Sequence, residues 1–268
     1  MIRLAGSLVC ISLALAACTH GGSGPAAWTG GLSKTDLATE SDESPQQRRA
    51  RLRIELAAAY FDQGQTLVAL DEVKQALLAD PGFADAYNLR GLVYLRLNEL
   101  HLAEESFQRG LALRPDDADT LHNFGWLRCQ QLRFSESDQL FKKAIETPRY
   151  AQPGKTWMAR GLCQMRAGQP QEAQASWQRA LVLDANNPTA AYQLALLHYK
   201  RAEFELAQSY MLKLNSGNLA SAQSLWLGIR IERQLNRTDA MAALGSQLRL
   251  RFAQSRELIA FDKGDFHE

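Results

Sequence analysis

Cys18 has the clearest chemical signature in this sequence, because a thiol follows two small residues at the end of an apolar run. Arg3 precedes residues 4–17, which are almost all apolar, and this order is typical of a secretory signal peptide. The ending Leu-Ala-Ala-Cys at 15–18 matches a lipobox, in which the small residues fit the signal peptidase and the cysteine is acylated. We therefore predict that residues 1–17 are a signal peptide and that Cys18 carries the lipid. The alternative is an ordinary signal peptide that happens to contain a cysteine.

The residues after Cys18 predict where the chain would be held. Several acyl chains give stable anchoring, because each buried methylene contributes about 0.8 kcal/mol. Thr19 comes next, whereas an aspartate at that place retains lipoproteins of enteric-like bacteria in the inner membrane. We therefore expect a lipid-anchored protein at the periplasmic face of the outer membrane. Residues 18–48 form the lipidated cysteine and a Gly/Ser/Pro-rich flexible tether that spans roughly 30 Å.

Two cysteines remain once Cys10 leaves with the signal peptide and Cys18 takes the lipid. They are Cys129 and Cys163, an even pair in an oxidising compartment. Both lie in segments that we interpret below as the first helices of neighbouring repeats, which pack side by side. We predict a disulfide between them; the alternative is two buried free thiols that act as small apolar residues.

Other chemistry is not supported by residue types and spacing. Residues 153–156 read Pro-Gly-Lys-Thr, like the end of a phosphate-binding loop, but Arg149 stands where that motif needs glycine and no strand precedes it. None of the five histidines has metal-ligand spacing, and no serine lies in a nucleophile elbow. The net charge of +1 gives no basic excess for nucleic acid. We therefore predict no enzyme, no metal, no cofactor, no small-molecule substrate and no nucleic-acid partner.

The elements that position these residues repeat along the chain. A small residue recurs at intervals of 33 to 36 residues, a second small residue follows about twelve places later, and a larger apolar residue follows four places after that. A period near 34 with this pattern is the signature of tetratricopeptide repeats (TPRs), each a helical hairpin that must stack on its neighbours to bury its apolar face. The first small residues are Ala57, Gly91, Gly125, Gly161, Ala195 and Gly228.

The repeats predict an all-α fold, a TPR superhelix of about six helical hairpins over residues 49–256, with a polar tail at 257–268. In TPR arrays the first helix of each hairpin lines the concave groove. Groove positions lie about three before, one after and four after the small residue, and here they are unusually apolar and aromatic. Such side chains anchor a partner helix or strand. The candidates are Phe61, Asn88, Leu92, Leu95, Trp126, Tyr192 and Tyr199.

The lipobox, the short polar tether, about six TPRs and a cysteine pair in repeats three and four together resemble the type IV pilus biogenesis/stability lipoproteins, the PilF/PilW pilotins. Residues 135–141 and 248–252 are also similar to that family. The resemblance implies an outer-membrane adaptor that binds the pilus secretin and promotes its localisation and multimerisation. It also implies that Cys129 and Cys163 match the family's disulfide pair and that the groove residues bind the secretin.

Two alternatives remain open at the level of sequence. The first is a general periplasmic TPR scaffold for cell-wall enzymes or for the assembly of outer-membrane proteins. The second is an enzyme or the regulatory subunit of one, which would need polar groups that converge in a pocket. The sequence shows no such convergence, and the first alternative differs from the pilotin interpretation only in its partner.

Overall fold

The computed structural model describes residues 42–266, and from Ser44 onward the chain forms one compact unit. The predicted signal peptide, the lipid site Cys18 and nearly all of the predicted tether lie outside the described residues. Every regular element from 42 to 266 is helical, which confirms the all-α prediction. The helices are α1 Pro45–Asp62, α2 Thr66–Ala79, α3 Ala84–Arg96, α4 Leu100–Leu113, α5 Ala118–Gln130, α6 Phe134–Glu146, α7 Pro153–Arg166, α8 Pro170–Leu183, α9 Pro188–Lys200, α10 Phe204–Asn215, α11 Ala222–Gln234, α12 Thr238–Arg251 and α13 Arg256–Lys263.

The first twelve helices form six antiparallel hairpins, and the small residue of each first helix lies where the second helix crosses it. The contact is close: a Cβ atom added at Gly91 would lie 2.4 Å from Cε1 of Phe107, and one at Gly161 would lie 2.4 Å from Nε1 of Trp177. Phe107 and Trp177 are both fully buried. The glycine is therefore required because the aromatic ring of the second helix occupies the space of a side chain.

The hairpins stack in two layers. In the first layer α1 packs against α3, α3 against α5, α5 against α7, and α9 against α11. Among the described residues the even-numbered helices make no comparable contacts with one another. Because the odd-numbered helices approach each other more closely, their layer lies on the inside of the curve. This two-layer array of six hairpins is the predicted TPR superhelix.

The turn inside each hairpin has the same backbone shape. The left-handed residues fall at Gly64, Asn98, Leu132, Gly168, Ala202 and Asn236, each seven or eight residues after the small residue. Glycine and asparagine adopt a positive φ with little cost, but leucine and alanine do not. Leu132 at φ 61° and Ala202 at φ 58° are therefore held in that shape by the packing of the two helices they join.

The ends of the array differ from the sequence prediction. The first helix begins at Pro45 and not at 49, because Ser44 and Gln47 form a reciprocal capping box at its start. Residues 257–268 were predicted to be a polar tail, but α13 occupies Arg256–Lys263 and Ser255 caps it by accepting a hydrogen bond from the Leu258 amide. Leu258 is buried against the last hairpin, so α13 covers an apolar face that would otherwise meet solvent.

No helix in the described part of the chain is both long and apolar enough to cross a membrane. The connection after repeat three is longer than the one before it, as residues 147–152 join α6 to α7 whereas residues 114–117 join α4 to α5. Tyr150 in this connection places its hydroxyl 2.8 Å from Oγ1 of Thr156, in the first turn of α7.

A charged cluster joins repeats two and three behind the inner layer. The buried Arg128 guanidinium donates to both carboxylate oxygens of Glu104, at 2.5 and 2.7 Å, and its Nε lies 3.2 Å from Glu136. The same guanidinium lies over the ring of Phe124 at 4.5 Å. The hydrogen bonds from Arg128 lower the pKa of Glu104, and burial of the carboxylate opposes that effect.

The cluster predicts how stability depends on pH. Because the folded pKa of Glu104 is depressed, its contribution is fully present above the unfolded pKa near 4.3 and is lost as the pH falls through the lower folded value. Glu104→Gln is expected to reduce the free energy of unfolding by about 1–3 kcal/mol at neutral pH and to flatten its decline in acid. Urea unfolding at several pH values measures both effects. Glu105→Gln, at the exposed neighbouring position, is the control and is expected to behave like the wild type.

Candidate functional site

The seven predicted groove residues all lie on inner-layer helices, and all are half-buried. Such a side chain is fixed by its neighbours on one side and can contact a partner on the other. Phe61 lies on α1, Trp126 on α5, and the two tyrosines on α9. The three remaining candidates, Asn88, Leu92 and Leu95, lie on successive turns of α3. We call this set of seven residues the groove set.

Polar and cationic contacts fix the groove set at its amino-terminal end. The guanidinium of Arg96 lies 3.3 Å from the centroid of the Phe61 ring and also donates to the Phe61 carbonyl oxygen. Asn123 Nδ2 donates to Oδ1 of Asn88 at 2.9 Å, which ties α5 to α3. These contacts hold the side chains in place before any partner arrives, which reduces the ordering cost of binding.

The leucines and the tryptophan rest directly on the core. Leu92 and Leu95 pack on the buried cluster that contains Phe107 and Phe124. Trp126 packs on the next cluster along the array, beside Phe141. Side chains of this kind are held by the core on one side and are accessible to a partner on the other. Such side chains contribute most of the binding energy in protein interfaces.

The carboxyl-terminal end of the groove set is aromatic. Tyr192 and Tyr199 pack on the core cluster of repeats five and six. The guanidinium of Arg230 lies 4.7 Å from the centroid of the Tyr199 ring, and the Phe204 ring lies 5.6 Å away on the other helix of the hairpin. An arginine thus flanks an aromatic groove residue here as it does at Phe61.

Sequence reasoning missed the basic residues in the last turns of the inner helices. Arg96, Arg166, Lys200 and Arg233 each follow the small residue of their repeat by five places, so the signal was present in the spacing. In repeat four, the Arg166 guanidinium reaches to 4.0 Å from Cys129 Sγ. Cations at helix carboxyl termini interact favourably with the helix dipole, and here they also add positive charge beside the groove set.

Several positions of the groove pattern are buried and cannot meet a partner directly. His122 lies beneath the surface of α5 with Nδ1 2.9 Å from Thr156 Oγ1, and burial, together with the charge of Lys155, lowers its pKa to about 4. Leu225 and Ile229 of repeat six are fully buried beside α13. Their neighbour Glu232 is also buried and accepts two hydrogen bonds from Gln208.

The Pro-Gly-Lys-Thr segment forms the start of α7 and has a structural role. Thr156 is fully buried, and its hydroxyl contacts both His122 and Tyr150. A phosphate-binding loop needs that hydroxyl free for a metal ion. Here the hydroxyl joins α7 to His122 of α5 and to Tyr150 of the preceding connection.

The cysteine pair lies at the junction of repeats three and four. Cys129 on α5 and Cys163 on α7 have their Cα atoms 5.8 Å apart and their sulfur atoms 2.26 Å apart, and both residues are buried. This Cα separation is one that disulfides accommodate. Ser137 Oγ lies 3.3 Å from Cys163 Sγ, so the second helix of repeat three closes over the pair.

Within residues 42–266, no group of three or more His, Cys, Asp or Glu side chains could hold a metal ion. An open recess of about 220 Å³ between the last two repeats lies beside Gly228 and Leu244. At this position repeats two to four have an aromatic ring, whereas repeat six has Leu244. The recess forms because the leucine side chain does not fill the space between the two helices of the hairpin.

Comparison with known proteins agrees with this architecture. A tetratricopeptide-repeat family model matches residues 54–118 and a second one matches residues 154–187. Together with the six hairpins and their shared turn geometry, these matches define the chain as a TPR protein with a concave groove.

The chain is also a homologue of proteins named for type IV pili. It is 29% identical to the type IV pilus assembly protein PilF of Pseudomonas aeruginosa over 85% of this chain and 92% of that protein. A solved structure of P. aeruginosa PilF superposes with a TM-score of 0.72 at 28% identity, covering 82% of this chain and all of that one. PilW, described as a widely conserved type IV pilus biogenesis factor, superposes with a TM-score of 0.69 at 29% identity, covering 79% and 97%. The chain is therefore similar in sequence and fold to these type IV pilus TPR proteins over most of its length, which confirms the resemblance stated from the sequence.

Proposed function

We propose that this protein is an outer-membrane lipoprotein adaptor for type IV pilus biogenesis, which binds the secretin and promotes its localisation and multimerisation. The observation that carries the proposal is the joint likeness in sequence and fold to PilF and PilW over most of the chain. A TPR array supplies a binding surface, so a role as a scaffold follows from the fold.

The groove set has the chemistry of a peptide-binding surface. Its apolar and aromatic members are half-buried anchors, and the basic residues beside them favour a partner segment that carries acidic groups. Electrostatic complementarity of this kind raises the association rate and sets the register of the bound segment. Phe61, Leu92 and Leu95 at one end and Tyr192 and Tyr199 at the other are our preferred contacts.

Lipid attachment at Cys18 would hold this surface at the periplasmic face of the outer membrane, which is where a secretin assembles. A disulfide between Cys129 and Cys163 would lock α5 to α7 midway along the array, beside the longer connection at 147–152. Both are parts of the proposal. They give the adaptor a fixed location and a stiff centre.

The general periplasmic scaffold is the second candidate function. It has the same groove and anchor but serves other partners, such as cell-wall enzymes. The likeness to PilF and PilW favours the pilus role over this candidate.

Deletion of the gene in its host tests the proposed function. We expect loss of secretin multimers from outer-membrane fractions while secretin monomer is still made, with loss of surface pili and twitching. The wild-type gene is expected to restore all three, and a Cys18→Ala gene to restore them weakly. Normal multimers and normal twitching in the deletion strain would exclude the pilus role and leave the general scaffold.

A groove variant tests whether the groove set is the surface that contacts the partner. Leu95→Lys puts a charge among the groove set, while its aliphatic stem keeps part of the core contact. Loss of one buried anchor is expected to weaken partner binding on the order of tenfold or more. The matched control is Leu78→Lys, because Leu78 lies on the outer-layer helix α2 and is 76% exposed. Equal complementation by the two variants would show that the groove set is not the contact.

A further inference from the structure

The chain beyond α13 turns back onto the inner layer. Gly264 ends the helix at φ 65°, and the Asp265 amide donates to the Ala260 carbonyl oxygen at 2.9 Å. This left-handed cap reverses the chain and brings Phe266 against α11. There the Phe266 ring stacks on the ring of Trp226, with centroids 5.5 Å apart and an interplanar angle of 9°.

A cation also lies over the Phe266 ring. The guanidinium of Arg233 lies 4.2 Å from the centroid of Phe266. Trp226, Arg230 and Arg233 follow one another at intervals of four and three residues, so they share one face of α11. Because Arg230 contacts Tyr199 of the groove set, this face of α11 continues the groove into repeat six.

The arrangement repeats a contact seen elsewhere along the groove. Arg96 covers Phe61 and Arg230 covers Tyr199, and in both pairs the aromatic ring belongs to an inner-layer helix. At Arg233 the ring comes from a short segment outside every helix. The Trp226 indole and the Arg233 guanidinium together form a slot that holds a flat ring, and both contacts are favourable by electrostatics as well as by burial.

We propose that this slot, formed by Trp226 and Arg233 with Arg230 on the same face of α11, is a binding site for an aromatic side chain of a partner segment, next to a carboxylate. Phe266, preceded by Asp265, occupies the slot in the free protein and is displaced by the partner. Positive charge from the two arginines favours an acidic neighbour of the aromatic residue. The inference rests on the proposed role as a protein-binding adaptor and names the kind of segment that the adaptor takes.

Intramolecular occupancy makes the site selective. A segment tethered close to its site has an effective concentration in the millimolar range, so a partner ring must bind well enough to compete with it. Phe266 is only half-buried and lies after the end of α13, so its departure leaves the helix and its capping contacts in place. The slot can therefore open without unfolding the last repeat.

The test uses the full chain with Phe266→Ala, which empties the slot. The probe is the acetylated peptide Gly-Asp-Phe-His-Glu, which has the sequence of residues 264–268. Its affinity is measured by fluorescence anisotropy of a labelled copy. Occupancy is followed by the indole N–H resonance of Trp226 in two-dimensional NMR spectra. The matched control protein is Phe252→Ala, which removes another half-buried phenylalanine from the same core cluster.

We expect Phe266→Ala to bind the peptide several-fold more tightly than the wild type or Phe252→Ala, and the peptide to move the Trp226 resonance back towards its wild-type position. A peptide with alanine in place of phenylalanine, and a Trp226→Ala, Phe266→Ala protein, are expected to bind at least tenfold more weakly. Equal affinity for wild type and Phe266→Ala, or no movement of the Trp226 resonance, would overturn the inference. Should Phe266→Ala change the circular dichroism spectrum, Arg233→Gln in the wild type serves instead, and its expected effect is weaker peptide binding.

These outcomes are independent of the test of the proposed function. Peptide binding in solution needs no pilus, so it can succeed in a protein whose deletion leaves twitching normal. Conversely, the peptide could fail to bind while deletion of the gene still abolishes secretin multimers. That combination would exclude the proposed slot and support the adaptor role.

Discussion

Replacing Trp177 with alanine is expected to lower the free energy of unfolding by about 3–5 kcal/mol, the largest effect of any single substitution we foresee. Trp177 is fully buried at the centre of repeat four, where its ring lies against Gly161 and fills the space between the two helices of the hairpin. Alanine would leave a cavity that the rigid helix pair cannot close. Urea unfolding followed by circular dichroism measures the loss.

Trp177→Phe is the matched variant. Phe107 and Phe141 occupy this place in repeats two and three, so the position accepts phenylalanine. Within residues 42–266 the indole N–H of Trp177 has no hydrogen-bond partner to lose. We expect Trp177→Phe to cost less than about 1.5 kcal/mol. A phenylalanine variant as unstable as the alanine variant would show that filled volume is not what matters here.

The same contact predicts a coupling between two positions. Gly161→Ala in the wild type puts a methyl group 2.4 Å from the Trp177 indole, which is destabilising. In the Trp177→Ala background the space is open, and alanine in place of a mid-helix glycine is expected to stabilise by about 0.5–1 kcal/mol. A change of sign between the two backgrounds is the expected result of the double-mutant cycle, and additive effects would contradict it.

Reduction of a Cys129–Cys163 disulfide is expected to lower the free energy of unfolding by about 3–4 kcal/mol. The bond would close a loop of 34 residues, and in the chain-entropy model the stabilisation grows with the logarithm of loop length. For a chain of this size the loss corresponds to a drop of roughly 6–16 °C in the melting temperature. Thermal unfolding with and without dithiothreitol measures it.

The control is a protein with both cysteines replaced by alanine. It retains small apolar side chains at the two buried sites, and its melting temperature is expected to be the same with and without reductant. If the wild type is equally insensitive to reductant, the two cysteines are free thiols, which is the alternative left open by the sequence.

The fold could be predicted from the sequence because the repeat imposes the same requirement six times. In each repeat, a small residue such as Gly91 or Gly161 packs against the large residue sixteen places later. Six copies of this pair at the same spacing indicate one fold, the TPR array. The ends of the array carry no such redundancy. The start of α1 at Pro45 and the helix at Arg256–Lys263 depend on local capping and on a face left uncovered by the last hairpin, and the repeat pattern reports neither of these.

The candidate site was predictable only in outline. Helical periodicity placed Leu92 and Tyr199 on the inner layer, and both are half-buried there. It could not tell that His122, at another position of the groove pattern, is covered, because that depends on Thr156 of α7, whose hydroxyl also contacts Tyr150 of the connection after α6. The stacking of Phe266 on Trp226 could not be predicted from the sequence either. It needs a reversal of the chain after α13, a helix in a segment that the sequence predicts to be a polar tail.

Because of the six left-handed turns, the stability of each repeat and the choice of partner depend on different residues. In most binding proteins the same residues must serve both properties. Leu132 and Ala202 adopt a left-handed backbone in the turn of the hairpin, where the Ala202 amide donates to the Tyr199 carbonyl oxygen, and the equivalent positions in other repeats have glycine or asparagine. Substitution at these turn positions can therefore raise or lower the stability of each repeat while the side chains that contact a partner stay unchanged. Selection can therefore change the stability of the array and its choice of partner as two nearly independent traits.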